Sequence, residues 1–278
     1  MMNEEISFLK RKAIDIRRDL ITMIYEAKTG HTGGSLSNTD ILTVLYYKIM
    51  NIDPANPKWE NRDRYVQSKG HSVESYWAIL ADKGFFPKEE LKTFSKFNSR
   101  LIGHPNNKVA GVEMNTGALG HGLPISVGMA LAAKLDGKSY KVYTLMGDGE
   151  QAEGSVWEGA MAASQYELDN LVAIIDRNRL QITAGTEDVM GIEPLGDKWR
   201  SFGWEVVEVD GNDIEALVEI FTNIPAKSGK PTMVIANTVK GKGVSFSENQ
   251  VGWHHKVPTK EEFELAMEEL SKQMEVLL

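Results

Sequence analysis

Between residues 141 and 236 short apolar runs alternate with helix-patterned stretches, and that alternation narrows the available folds more than anything else in the chain. The run Leu171-Val172-Ala173-Ile174-Ile175 has no polar face, the pattern of a strand covered on both sides. Strands are predicted at 141–145, 171–175, 204–209 and 232–236, with helices at 155–166 and 214–221. Strand and helix in turn imply right-handed crossovers and a mainly parallel sheet with helices on both faces. The first part reads as helical. Ile6, Leu9, Ala13, Ile16, Leu20 and Ile24 recur at helical spacing over 4–28, ending at Gly30. Further helices are predicted at 39–50 behind Asn38, at 73–83, and from Pro87 onward. Thr259 and Glu262 fit a capping box for a last helix over 259–278, set apart from a main unit of 1–258.

With 278 residues, 42% of them hydrophobic, the chain has material for one large α/β domain. Its net charge of −8 excludes a nucleic-acid footprint, which needs clustered Lys and Arg. The absence of cysteine excludes disulfides, zinc thiolates and thiol catalysis. No apolar leader and no long apolar run occurs, so no membrane partner and a cytoplasmic location are expected. A polyanionic ligand must then be held locally, by a metal ion, backbone N–H groups and selected side chains.

Gly147-Asp148-Gly149 follows the first of the four predicted strands directly. In parallel α/β sheets ligands bind beyond the carboxyl ends of strands, and glycines there allow close backbone approach. Asp148 offers the hard oxygen that Mg²⁺ prefers. One helix and one strand later comes Asp176-Arg177-Asn178, so both loops should emerge side by side. Asn178 can add a neutral oxygen and the Leu180 carbonyl a third. Alone, Asp-Gly is no more than a turn; its pairing with Asn178 after a second buried strand predicts a metal site.

Four of the six histidines directly follow glycine: Gly30-His31, Gly70-His71, Gly103-His104 and Gly120-His121. Glycine beside imidazole suits a loop that must approach a ligand closely, and four such loops predict a shared site. The histidines could not form a zinc site of recognisable spacing, because no short pair exists except the adjacent His254-His255. Neutral imidazoles can bond hydroxyl groups and relay protons near pH 7, and a protonated one would add positive charge beside an anion.

Gly147-Asp148-Gly149 through Asn178 resembles the thiamine diphosphate signature, and Glu150-Gln151-Ala152-Glu153-Gly154 with Asn170-Leu171-Val172-Ala173-Ile174 resembles the transketolase family specifically. Gly30-His31-Thr32-Gly33 is similar to that family's Gly-His-Pro-Gly segment, with Thr32 in place of Pro. The resemblance covers about residues 10–258 and implies the thiamine-diphosphate-binding fold of the diphosphate-binding type. It implies thiamine diphosphate and Mg²⁺ as cofactors, Ca²⁺ or Mn²⁺ being able to replace the magnesium. Asp148, Asn178 and the Leu180 carbonyl would be the metal ligands. His71, Gly117, Leu119, Gly149, Glu153 and His254 would lie along the cofactor, with Glu153 linking the two active sites of a pair. His31, His104 and His254 would handle the donor sugar, and His255 would fall on a family glycine; His121 gains no role.

A complete transketolase continues into a second domain that supplies the cofactor's catalytic glutamate, and nothing like it follows here. The expectation is the N-terminal subunit of a split transketolase rather than a fragment. It would work with a separate C-terminal subunit, in a heterotetramer, on sugar phosphates of the pentose phosphate pathway. The alternatives are a transketolase-like enzyme for an unusual sugar phosphate, a 1-deoxyxylulose-phosphate synthase-like protein or the α subunit of a 2-oxoacid dehydrogenase. From another class comes a non-catalytic homologue.

Overall fold

The computed structural model describes residues 2–225 and 228–277. Its centre is a five-stranded parallel sheet of order β1-β2-β3-β5-β4, with β1 at Arg64–Gln67, β2 at Val142–Gly147, β3 at Leu171–Arg177, β4 at Glu205–Asp210 and β5 at Thr232–Asn237. The α/β class and the parallel sheet are as the sequence predicts. Strand β1 is an addition. Its four residues include Arg64 and Gln67, too short and too polar to show as a run, and it pairs along one side only, at the sheet edge.

Both faces of the sheet are covered, which explains the uninterrupted apolar runs. Tyr143, Leu145, Val172, Ile174, Val234 and Ala236 point to one core, shared with helices α1 (Met2–Ala27), α3 (Thr39–Val44), α4 (Val73–Asp82), α9 (Ile214–Thr222) and α10 (Lys260–Glu275). Val142, Met146, Ala173, Ile175, Met233 and Ile235 point the other way, toward α5 (Gly122–Leu135), α6 (Gly154–Gln165) and α8 (Leu195–Ser201). The two-residue period of a strand thus divides one run between two cores. A short helix α2 (Thr32–Ser37) precedes α3, and a one-turn helix α7 (Thr186–Val189) follows β3.

Helix ends follow local chemistry. Thr259 Oγ1 accepts from Glu262 N at 3.2 Å while Glu262 accepts from Thr259 N at 2.8 Å, the predicted capping box. Behind that cap α10 buries Ala266 and Leu270 in the core that α1 shares. Full burial of a leucine such as Leu270 contributes about 1.5–3 kcal/mol. The Pro87 segment winds instead as a 3₁₀ helix, Lys88–Thr93. No helix among the described residues is long and apolar enough to cross a membrane.

Because the sheet is parallel, the carboxyl ends of the adjacent strands β1, β2, β3 and β5 share one edge. Four loops therefore start side by side, after Gln67, Gly147, Arg177 and Asn237.

Candidate active site

Asp148 leaves the end of β2, and Gly147 is in register with Asp176 of β3. The loop after β3 folds over the carboxylate: Asp148 Oδ2 accepts from Arg179 N at 2.6 Å and from Arg177 Nη1 at 3.1 Å, while Oδ1 accepts from Gly149 N at 2.8 Å. Burial and the nearby Asp176 raise its pKa, against the Arg179 N–H and Arg177, which favour the charged form. Asn178 is buried beside it, its Oδ1 accepting from Leu180 N at 3.2 Å. The loops bearing Asp148, Asn178 and the Leu180 carbonyl thus lie together, as their spacing predicts.

Positive charge arrives from an unexpected quarter. Lys240, three residues beyond β5, is buried, and its Nζ lies 2.9 Å from the Leu180 carbonyl oxygen and 2.9 Å from His254 Nδ1. Burial, then repulsion from Lys69, push the Lys240 pKa down to about 8, against attraction from Asp148 and Asp176. Lys69, in the loop after β1, makes a buried ion pair with Asp176, whose other bonds come from Ser37 at 2.5 Å and Thr238. Burial opposes ionisation of Asp176, but Lys69, Ser37 and Thr238 outweigh it and hold the carboxyl below its ordinary value. Neither lysine stands out in the sequence. The available signal was position, since each follows a strand that ends at the same edge.

Four imidazoles form a wall beside Lys240. His31 has ring-centre distances of 5.3 Å to His71, 5.6 Å to His254 and 4.5 Å to His255, and His71 lies 5.3 Å from His254. The loops holding them are laced together: Thr32 Oγ1 donates to the Lys256 carbonyl at 2.6 Å, and a Cβ on Gly33 would come within 2.8 Å of the Trp253 carbonyl oxygen. His255 is exposed at the rim, whereas His254 is partly buried. Burial, with Lys240 and His31, lowers His254 to about 3; burial, with His255, His104 and the lysines, lowers His31 to about 4. Burial and Lys69 also hold His71 well below its usual value. Burial thus favours the neutral form of His31, His71 and His254, and the cationic side chains beside them are Lys240 and Lys69, the latter paired with Asp176.

His104 reaches the site from a separate loop, and burial lowers its pKa. It packs on Gly117, whose φ is +138° and where an added Cβ would sit 2.6 Å from His104 Cδ2. A Cβ on Gly70 would come within 2.8 Å of Gly117 N, so the Ser68–His71 loop lies directly against it. Leu119 is half-buried alongside. Buried Glu150 joins three loops by accepting from Ser68 Oγ, from Gly120 N at 2.8 Å and from Gly147 N at 3.0 Å. Sequence reasoning gave Glu150 no role, because its partners are distant in the chain. Glu153 is exposed at the start of α6, and His121 is exposed at the start of α5.

Among the described residues no group of three or more His, Cys, Asp and Glu could hold a metal ion. A site of one carboxylate, one amide and one main-chain carbonyl is of a different kind. Its donors are all hard oxygens, the set Mg²⁺ takes when a phosphate completes its shell. That an ammonium already lies at the Leu180 carbonyl, near Asp148, shows that a cation suits this place. The residues fit a diphosphate-bound divalent ion.

The family model of the transketolase thiamine diphosphate binding domain matches residues 9–273. This chain belongs to the transketolase family. It is 50% identical to an apulose-4-phosphate transketolase subunit of Phocaeicola vulgatus, covering 98% of this chain and 97% of that protein. It is 42% identical to the 6-deoxy-6-sulfo-D-fructose transketolase subunit SqwG of Clostridium sp., over 98% of this chain and 99% of the relative. Human transketolase is 38% identical over 98% of this chain, which spans only 43% of that protein. Among solved structures, the transketolase of Campylobacter jejuni superposes with a TM-score of 0.88 at 32% identity, covering 95% of this chain and 43% of that one. The chain is thus the N-terminal, thiamine diphosphate binding part of a transketolase. It matches the subunit-type transketolases end to end and the single-chain ones over somewhat under half their length.

Proposed function

We propose that this chain is the cofactor-diphosphate subunit of a two-subunit transketolase, completed by a separately encoded C-terminal chain in a cytoplasmic assembly with two copies of each. The observation that carries the proposal is the convergence, at one edge of the parallel sheet, of the Asp148 and Asn178 oxygens, the Leu180 carbonyl and the Lys240 ammonium. The end-to-end match with proteins named as transketolase subunits supports the need for a partner.

In this reading Asp148, Asn178 and the Leu180 carbonyl hold Mg²⁺, with Gly149 close to the diphosphate. His71, Lys69 and Lys240 face the anion, while Gly117, Leu119 and His254 line the rest of the cofactor. When bound, thiamine diphosphate supplies the nucleophilic carbon that moves a two-carbon ketol unit from a ketose phosphate to an aldose phosphate. Neutral His31, His104 and His254 bond the donor hydroxyls and hold or pass protons there. Glu153, exposed here, would be covered in the assembly and connect its two sites.

For the sugar, the relatives favour an unusual substrate over a pentose phosphate pathway intermediate. The relatives at 50% and 49% identity are named for apulose 4-phosphate, and one at 42% for 6-deoxy-6-sulfo-D-fructose. The test mixes this chain with its C-terminal partner, thiamine diphosphate and Mg²⁺. Xylulose 5-phosphate, apulose 4-phosphate and 6-deoxy-6-sulfofructose are then compared as donors. Turnover only with both chains is expected, with a branched or sulfonated ketose preferred. Turnover by this chain alone would sink the split-site proposal, and preference for xylulose 5-phosphate would sink the substrate assignment.

A further inference from the structure

Helix α4 carries a fully buried carboxylate, Glu74, directly beneath the turn that presents His31. Its Oε1 accepts from His31 N at 2.8 Å and its Oε2 from Ser35 Oγ at 2.6 Å. No ion pair to it occurs among the described residues; Lys69 is the charged group it faces at longer range. Glu74 therefore bonds both ends of the five-residue segment that begins with His31.

Other bonds hold its middle: Thr32 Oγ1 donates to the Lys256 carbonyl at 2.6 Å, and the carbonyls of Gly33 and Gly34 accept from Gly241 N at 3.0 Å and from Lys69 Nζ at 3.2 Å. Helix α2 begins immediately after His31 and has no side-chain cap of its own. A helix start leaves backbone N–H groups unpaired, and a carboxylate bonded to the N-cap N–H is half of a capping box. Here that half comes from another helix, 43 residues along the chain. Thr32, the first helical residue, has no ring to preset its φ as a proline would. The space is committed as well, since a Cβ on Gly30 would sit 2.8 Å from Glu74 Oε1 and 2.7 Å from Ile24.

From this geometry we infer that Glu74 is a positioning residue for His31. It ties the His31 N–H to the Ser35 hydroxyl across the turn so that the ring faces His71, His254 and His255. This rests on the reading of His31 as a donor-handling group. The carboxylate touches neither cofactor nor substrate and acts through the turn. Glutamine can keep both bonds, accepting from His31 N–H and donating to Ser35 Oγ; alanine keeps neither.

Two measurements test the inference. In hydrogen exchange on the full chain, amides of residues 31–35 should exchange at least ~10-fold faster in Glu74→Ala and in Ser35→Ala than in wild type. In Glu74→Gln they should stay near wild type, and the amides of β2 and β3 should not change in any variant. In the reconstituted two-chain enzyme, Glu74→Ala should raise KM for the ketose that turns over by roughly 10-fold or more. Its acceptor KM and thiamine diphosphate affinity should stay within about twofold, and Glu74→Gln should restore the donor KM. Unchanged exchange at 31–35, or equal damage from glutamine and alanine, would overturn the positioning role. Faster exchange with a donor KM unmoved by both Glu74→Ala and His31→Ala would instead overturn the role given to His31 and leave the clamp standing.

Discussion

The ammonium of Lys240 lies 2.9 Å from Nδ1 of His254, so a cation and an imidazole share one part-buried contact. The lysine depresses the imidazole. Burial is the larger cause for both, and it leaves Lys240 near 8 and His254 near 3. The lysine holds the charge proposed to face a diphosphate, and the imidazole stays neutral.

Replacing Lys240 by methionine should therefore do two things at once. Thiamine diphosphate affinity, measured by calorimetry, should fall by about 10-fold or more with the loss of a charge-assisted contact. The His254 titration, followed by NMR, should move up toward the ordinary histidine range. In the wild type, affinity should weaken as pH rises past about 8, where Lys240 loses its proton. The folded chain itself should gain stability between about 8 and the usual lysine value, since the unfolded state binds more protons there. A His254 titration unmoved by Lys240→Met would show that the contact is not electrostatic.

Asp148→Asn should abolish Mg²⁺-dependent cofactor binding while leaving the apo fold intact. Burial and Asp176 already oppose ionisation of Asp148, and Arg177 keeps Glu187 and Glu193 as partners at 2.8 Å each. Calorimetry should show affinity down by ~100-fold or more, against a thermal midpoint shifted by only a few degrees. Unchanged affinity would remove Asp148 from the metal site.

Glu74→Gln should stabilise the chain in alkaline solution. Burial pushes the Glu74 carboxyl up to about 7 from its ordinary value of 4.5, opposed by its bonds to Ser35 and His31. The stability this represents is fully present below 4.5 and is lost as pH rises through 7. Relative to wild type, the glutamine variant should gain up to about 3 kcal/mol between pH 4.5 and 8 in urea unfolding. A pH-independent difference would mean that the carboxyl ionises freely.

His254→Ala should cost more activity than His255→Ala in the two-chain enzyme. His254 is partly buried on Lys240, whereas His255 stands exposed at the rim against His31. Rates should drop by ~10-fold or more for the first and by a few-fold for the second. The reverse order would place the working imidazole at 255.

The residues proposed for the metal site were legible because each is tied to a local signal. Asp148 and Asn178 stand where buried apolar strands end, and a parallel sheet brings such ends together. The glycine-histidine pairs were legible for a similar reason, since a glycine at a close approach leaves a mark in the sequence. Gly30 against Glu74 and Gly70 against Gly117 show such close approach, whereas nothing lies within 4 Å of a Cβ on Gly103. Glu150, Glu74, Lys69 and Lys240 left no such mark. Each acts through partners dozens of residues away, and a buried charge reads in sequence like any surface charge.

By itself the sequence determined the layered α/β architecture, the strand ends where the proposed site lies, and membership of the transketolase family. Strand periodicity, glycine and helix-capping chemistry are short-range effects and survive in one dimension. Tertiary structure decided how the site is charged and held. It buried His31, His71 and His254, which favours their neutral form, and set Lys69 and Lys240 beside them. It also set Glu74 under His31. Desolvation and long-range pairing settle these matters, and both exist only once the chain has closed around the groups concerned.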